Sequence, residues 1–186
     1  FRSCSFMFEE SNRKFAENLR FKMDQNGYKR VLVTSVAENE GKSTISTNLA
    51  LALSSMGKKV LIIDVDFRKP ALYKIVERDR ASVADIISYI DGSSEIEDII
   101  CKYARTGVDM VMNFGSRRDS ASFIRSEKLK ELLDYADQHY DYVILDSSPI
   151  IVSTDVQLTL DIVDCSLIVI RQDFVRITDI NTAIND

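Results

Sequence analysis

Two apolar runs that end in acids, KVLIIDVD at residues 59–66 and YDYVILD at residues 140–146, constrain the fold of this chain more than any other feature. An unbroken series of Val, Leu and Ile suits a strand covered on both faces, and such strands belong to parallel sheets with helices above and below. RVLVTS (30–35), VDMVMNFG (108–115) and CSLIVIR (165–171) read as strands too. Helical patterns separate them. Residues 9–23 place Phe15, Leu19 and Met23 on one face, and residues 42–56 space Ile45, Leu49, Ala52 and Met56 the same way before Gly57 ends the turn. Residues 82–92 read as a helix capped by Ser82 with Asp85 three positions on. Residues 95–103, 128–138 and 155–162 read as helices, and a last helix begins near Thr178. The polar stretch SRRDSASFIRS (116–126) reads as a mobile loop. Alternating strand and helix predict an α/β domain with a mostly parallel sheet, whose ligands bind at the carboxyl ends of the strands.

With 186 residues, 45% of them hydrophobic and 28% charged, the chain is large enough for one well-cored domain. The net charge of -5 argues against nucleic acid as a partner. Cys4, Cys101 and Cys165 are far apart and His139 is the only histidine, which excludes zinc-ligand spacing and points to a reducing compartment. No apolar run reaches membrane-spanning length. The first residue is Phe1 and the final segment is still apolar, so the sequence reads as a piece of a longer protein: one domain, with residues 1–29 as an N-terminal helical segment.

Chemistry concentrates where the strands end. After the first strand comes SVAENEGKST, whose Gly-Lys-Ser-Thr is the close of a phosphate-binding loop. Backbone N–H groups of Glu38, Asn39, Glu40 and Gly41 and of the helix start would wrap phosphates. Lys42 would reach the β- and γ-phosphates, Ser43 would join a Mg²⁺ shell, and Thr44 would meet the α-phosphate. Gly-Lys-[Ser/Thr] occurs by chance in roughly one chain of this length in ten, so the strand before it and the helix after it carry the argument. Val36 stands where such loops usually have their first glycine. A β-branched residue resists positive φ, whereas Asn39 and Gly41 tolerate it, so the strain is expected to move along the loop to them. In the second strand end, Asp64 and Asp66 flank Val65 and would share a face of a regular strand. The plainer reading is that Asp64 caps a turn or pairs with Arg68 or Lys69. In the third, Asp146 follows Tyr142-Val143-Ile144-Leu145, a hydrophobic run and acid able to hold Mg²⁺, and Pro149 ends the strand.

VLIIDVDFRKP resembles the Walker A′ motif of the bacterial tyrosine kinases, a hydrophobic triplet followed by D-x-D-x-R, and VILDSSP resembles their Walker B motif. Loss of the first Walker A glycine, here Val36, is within that family's habits. The resemblance runs from about Glu10 to Ile180 and implies a P-loop NTPase-type three-layer α/β/α domain with a mostly parallel sheet. It implies ATP and Mg²⁺ as cofactors, Lys42 and Asp64 as catalytic residues, and Ser43, Asp66 and Asp146 as the metal's ligands. In that scheme Asp64 draws the proton from an incoming tyrosine. The implied role is protein-tyrosine autokinase in capsular or exopolysaccharide biosynthesis and export, at the cytoplasmic face of a bacterial membrane. The implied partners are a membrane polysaccharide co-polymerase or adaptor segment, fused or separate, a cognate tyrosine phosphatase, and further copies of the chain.

The chain departs from the family in two places. The E-x-x-R-x-x-R assembly motif of the first helix is met by Glu10 and Arg13, but its third position is Ala16, so Glu10 and Arg13 read equally as a local surface pair. Family acceptor tyrosines cluster in a C-terminal tail, whereas none of the seven tyrosines here lies after Tyr142. Two other functions stay open on the sequence. A partition- or division-type ATPase would carry a signature lysine where Ala37 stands. A non-catalytic nucleotide-binding module of an export complex would bind ATP without turnover.

Overall fold

The computed structural model describes residues 6–76, 84–103, 106–117, 119–152 and 155–185. Helix α1 (Phe6–Asn26) leads to strand β1 (Arg30–Ser35), helix α2 (Lys42–Ser55) and strand β2 (Val60–Asp64). Short helices α3 (Leu72–Ile75), α4 (Ile86–Ile90) and α5 (Ile96–Ile99) precede strands β3 (Ile100–Tyr103) and β4 (Val108–Val111). Helices α6 (Ser120–Ile124) and α7 (Glu127–His139), strand β5 (Tyr142–Asp146), helix α8 (Asp155–Leu160), strand β6 (Cys165–Val169) and helix α9 (Ile177–Asn185) complete the chain. The six strands form one sheet in the order β3-β4-β2-β5-β1-β6. Every pairing is parallel except β3 with β4.

The unbroken apolar runs work as the sequence predicts: alternate residues of each central strand enter different cores. Leu32, Leu61, Ile63, Val143 and Leu145 pack with α4, α5 and α7 on one face. Val31, Val33, Val60, Ile62 and Ile144 pack with α1, α2 and α3 on the other. Helices cover both faces, giving three layers. Ala16 of α1 is fully buried in the second core, while Glu10 and Arg13 pair with each other at the surface at 2.8 Å. The third position of the assembly motif therefore faces inward.

Several elements differ from the sequence reading: α3 is not among its helices, and the strand read over residues 108–115 ends at Val111. The helix expected over residues 95–103 stops at Ile99, and β3 follows at once, because Ile100–Tyr103 finds an antiparallel partner in β4. The polar stretch after β4 contains α6, anchored by buried Ile124 and by the Phe123 ring 5.3 Å from that of Phe67. It is not a bare loop; Arg118 within it lies outside the described residues. The expected Ser82 cap also lies outside them, and α4 is capped by Asp85, which accepts from the Ser88 N–H at 3.0 Å.

Candidate nucleotide site

Strand order assembles the site. β5 lies between β2 and β1, so three polar strand ends meet side by side. Asp64 and Asp146 are register partners on neighbouring parallel strands. Pleat parity sends both toward the face covered by α2, since Ile62 and Ile144, two residues earlier, pack there. The first residue of α2 is Lys42, and its ammonium lies 3.1 Å from Asp66 Oδ2.

The loop between β1 and α2 takes its turns where the sequence permits them. Asn39 has φ 65° and Gly41 φ 91°, whereas Val36 is fully buried at a negative φ. A Cβ on Gly41 would meet nothing within 4 Å, so the glycine is there for its backbone angle. Glu40 is buried and fixes the loop from within: one carboxylate oxygen accepts from the Ala37 N–H at 2.6 Å and the other from the Arg171 N–H at 3.1 Å. Only its backbone is left to meet a ligand. Gly41 supplies no side-chain cap to the 14-residue α2, so the positive end of the helix and its first N–H groups point out uncapped beside Lys42. Ser43 is buried and Thr44 is exposed on that first turn.

The acids occupy unequal positions. Asp66 is 1% exposed; its Oδ1 accepts from the N–H groups of Arg68 at 3.2 Å and Lys69 at 2.9 Å, and its Oδ2 faces Lys42 without an aligned hydrogen bond. Asp64 is 0% exposed and caps the turn that follows β2, accepting from the Asp66 N–H at 3.1 Å and the Leu72 N–H at 3.3 Å. Arg68 pairs with Asp155 at 3.0 Å and Lys69 with Glu38 at 2.6 Å, so neither pairs with Asp64. Asp146 is 0% exposed; its Oδ1 accepts from Ser46 at 3.0 Å and its Oδ2 is buried without a partner. Burial, then the Asp146 and Asp66 charges, push the Asp64 carboxyl well above its ordinary range. Burial likewise raises Asp146, to about 6, although Lys42, Ser43 and Ser46 oppose the rise. Lys42 loses to its own burial but gains more from Asp146, Asp66 and Asp64, so its ammonium is held above its ordinary value and stays charged.

Asp146 therefore costs the ligand-free fold stability. Its folded pKa of about 6 exceeds the ordinary 3.8, so the folded state binds the extra proton between those values. The penalty is absent below about pH 4 and full above about pH 6, on the order of 3 kcal/mol. Asp146→Asn is expected to raise the melting temperature of nucleotide-free protein in a chelator by roughly 6–12 °C at pH 7.5 and to leave it nearly unchanged at pH 4. Calorimetric scans at the two pH values measure this.

The residues fit a divalent cation in part. The orphaned Asp146 Oδ2 and the poorly aligned Asp66 Oδ2 are acceptors that a cation would satisfy. Among the described residues no three acidic, histidine or cysteine side chains converge to hold one unaided. A cleft of about 270 Å³ opens beside them, lined by Glu38, Asn39 and Lys42 on one wall and Asp66, Arg68 and Lys69 on another. Asp64, Asp146, Ser43 and Thr44 do not line it, and Glu10 and Arg13 lie apart on α1. Sequence reasoning missed Lys69, Lys74 and Ser148 in its wall; the run of basic residues after the second acid was the available signal. A larger cleft, about 810 Å³ between α4 and the segment after β4, touches none of the predicted site residues.

The chain is similar to known proteins in sequence and in fold. A family model described as AAA domain matches residues 32–185. Tyrosine-protein kinase YwqD of Bacillus subtilis is 31% identical over 161 residues, covering 87% of this chain and 67% of the relative. Tyrosine-protein kinase etk of Escherichia coli K12 is 25% identical over 162 residues, and there the chain spans 22% of the relative's length. The solved kinase domain of the Escherichia coli tyrosine kinase ETK superposes with a TM-score of 0.88 at 22% identity, covering 95% of this chain and 69% of that one, a likeness of fold.

Proposed function

We propose, from the premise that this chain belongs to the AAA domain family and to the bacterial tyrosine-protein kinases, that it transfers the terminal phosphoryl group of ATP to tyrosine hydroxyls. The observation that carries this reading is the Lys42 ammonium held 3.1 Å from Asp66, at an uncapped helix start beside the orphaned oxygen of Asp146. Cation, N–H groups and unsatisfied carboxylates together suit a triphosphate and its metal.

In this reading the backbone of Glu38, Asn39, Glu40 and Gly41 and the N–H groups of Lys42, Ser43 and Thr44 hold the phosphates. Ser43, Asp66 and Asp146 hold Mg²⁺, which when bound neutralises charge on the β- and γ-phosphates. The tyrosine oxygen bonds to the γ-phosphorus as the bond to the β–γ bridging oxygen breaks, and ADP leaves with that electron pair. Asp64 accepts the phenolic proton late, since a carboxylate does not ionise a free phenol of pKa about 10. The acceptor is not Tyr89, Tyr140 or Tyr142: their hydroxyls donate to Glu131, Asp109 and Asp24, and burial raises each of them, Tyr89 to about 12. It lies on another segment or another copy of the chain.

Capsule or exopolysaccharide export is the process this reading implies, at the cytoplasmic face of the membrane. No helix among the described residues is long and apolar enough to cross a membrane; in this reading, attachment is the work of a co-polymerase or adaptor segment, fused or separate. A cognate phosphatase and assembly with further copies belong to the same reading. The test is phosphotyrosine on the full-length protein, detected by antibody. Label is expected only when both ATP and Mg²⁺ are present. Tight ATP binding without label would replace the kinase with a non-catalytic binding module.

A further inference from the structure

The candidate cleft carries a cation that the reading above leaves unused. Lys42, Arg68, Lys69 and Lys74 line it against two acids, Glu38 and Asp66, in a chain of net charge -5. Lys42 already faces Asp66, and Arg68 is committed to Asp155 and to the Val152 carbonyl. Lys74 lies 5.5 Å from the centre of the Tyr73 ring. Lys69 is different. Its backbone N–H is bonded at 2.9 Å to Asp66, so its root is fixed to an acid of the site. Its ammonium crosses the cleft mouth to Glu38 of the phosphate-binding loop, 2.6 Å away. Both partners are open to solvent, Lys69 at 68% and Glu38 at 41%. An ion pair that exposed is weak and exchanges readily.

We propose that Lys69 is a phosphate-reading residue: when a nucleoside triphosphate enters, its ammonium leaves the Glu38 carboxylate for the terminal phosphate and closes the mouth of the cleft. The Glu38 carboxylate is the stand-in for that phosphate, an oxyanion at the loop where oxyanions bind. A terminal phosphate carries more charge than a solvated carboxylate, so the ammonium gains by the exchange. Lys69 springs from the loop that also presents Asp66, one of the acids that would hold the metal. That position makes it a reader of triphosphate over diphosphate.

The inference rests on the nucleotide-site reading, and one set of titrations separates them. Fluorescent ATP and ADP analogues are titrated into the purified chain and its variants with Mg²⁺. Lys69→Met is expected to weaken ATP about tenfold and ADP less than twofold, and Lys69→Arg to restore ATP to within about threefold of the parent. Glu38→Gln, which frees the ammonium, is expected to tighten ATP about threefold. Equal loss of ATP and ADP in Lys69→Met, no loss at all, or weaker ATP binding in Glu38→Gln would overturn the proposal. Unchanged ATP binding in Lys42→Met would overturn the nucleotide site itself, whatever Lys69 does.

Discussion

Lys42→Met is expected to lower ATP affinity by a factor of about 10²–10³ and to remove phosphotyrosine from the full-length protein. The size follows from what the ammonium does. It lies within the reach of three buried acids, Asp66, Asp146 and Asp64, whose charges hold it protonated against its own burial. Charge-assisted hydrogen bonds contribute roughly 1.5–3 kcal/mol each, so losing contacts to two phosphates accounts for the loss. Methionine keeps most of the stem's volume but leaves Asp66 and Asp146 to repel each other without a cation between them. Calorimetric titration with a non-hydrolysable ATP analogue and antibody detection of phosphotyrosine measure the two effects. Full labelling by the variant would move the chemistry elsewhere in the molecule.

Asp64→Asn carries the second large effect and decides which acid receives the proton. Asp64 is fully buried and already accepts from two backbone N–H groups, and it is Asp66 that lines the cleft. If Asp64 acts as the base, turnover falls by about 10²–10⁴, the usual share of a general base, while ATP affinity stays within about threefold. The amide also removes a charge that Asp146 and Asp66 oppose, so the folded state survives at neutral pH. A variant with nearly full turnover would assign the proton to Asp66 and leave Asp64 as the cap of the turn. A variant that turns over normally but melts early would say the same.

Much of this was legible because strand ends advertise themselves. Four apolar residues in a row before Asp64 or Asp146 leave the carboxylate nowhere to go but a shared polar site. The φ of 65° at Asn39 and 91° at Gly41 followed from Val36 being unable to supply it. The helix-to-strand change at Ile100 was not legible, because its cause is the free edge of β4, a partner distant in space. Nor was α6, which exists because Phe123 meets Phe67 across the fold. The Ser120 hydroxyl adds to this by donating to Asp155 at 2.6 Å. Glu40 misled in a different way: its sequence position puts it in the phosphate loop, yet its side chain reaches the backbone of Arg171, 131 residues away.

The sequence alone determined that this chain would form strands buried on both faces, that three of them would end in polar clusters, and that a lysine would open the helix after the first. Apolar periodicity and backbone sterics are local, so local residues suffice to specify them. Only the tertiary structure decided that β5 enters between β2 and β1. That order sets Asp146 beside Asp64, both turned toward the face covered by α2, whose first residue is Lys42. Strand order depends on how helices pack over the sheet and which edges remain to be paired, and those are contacts between residues a hundred positions apart.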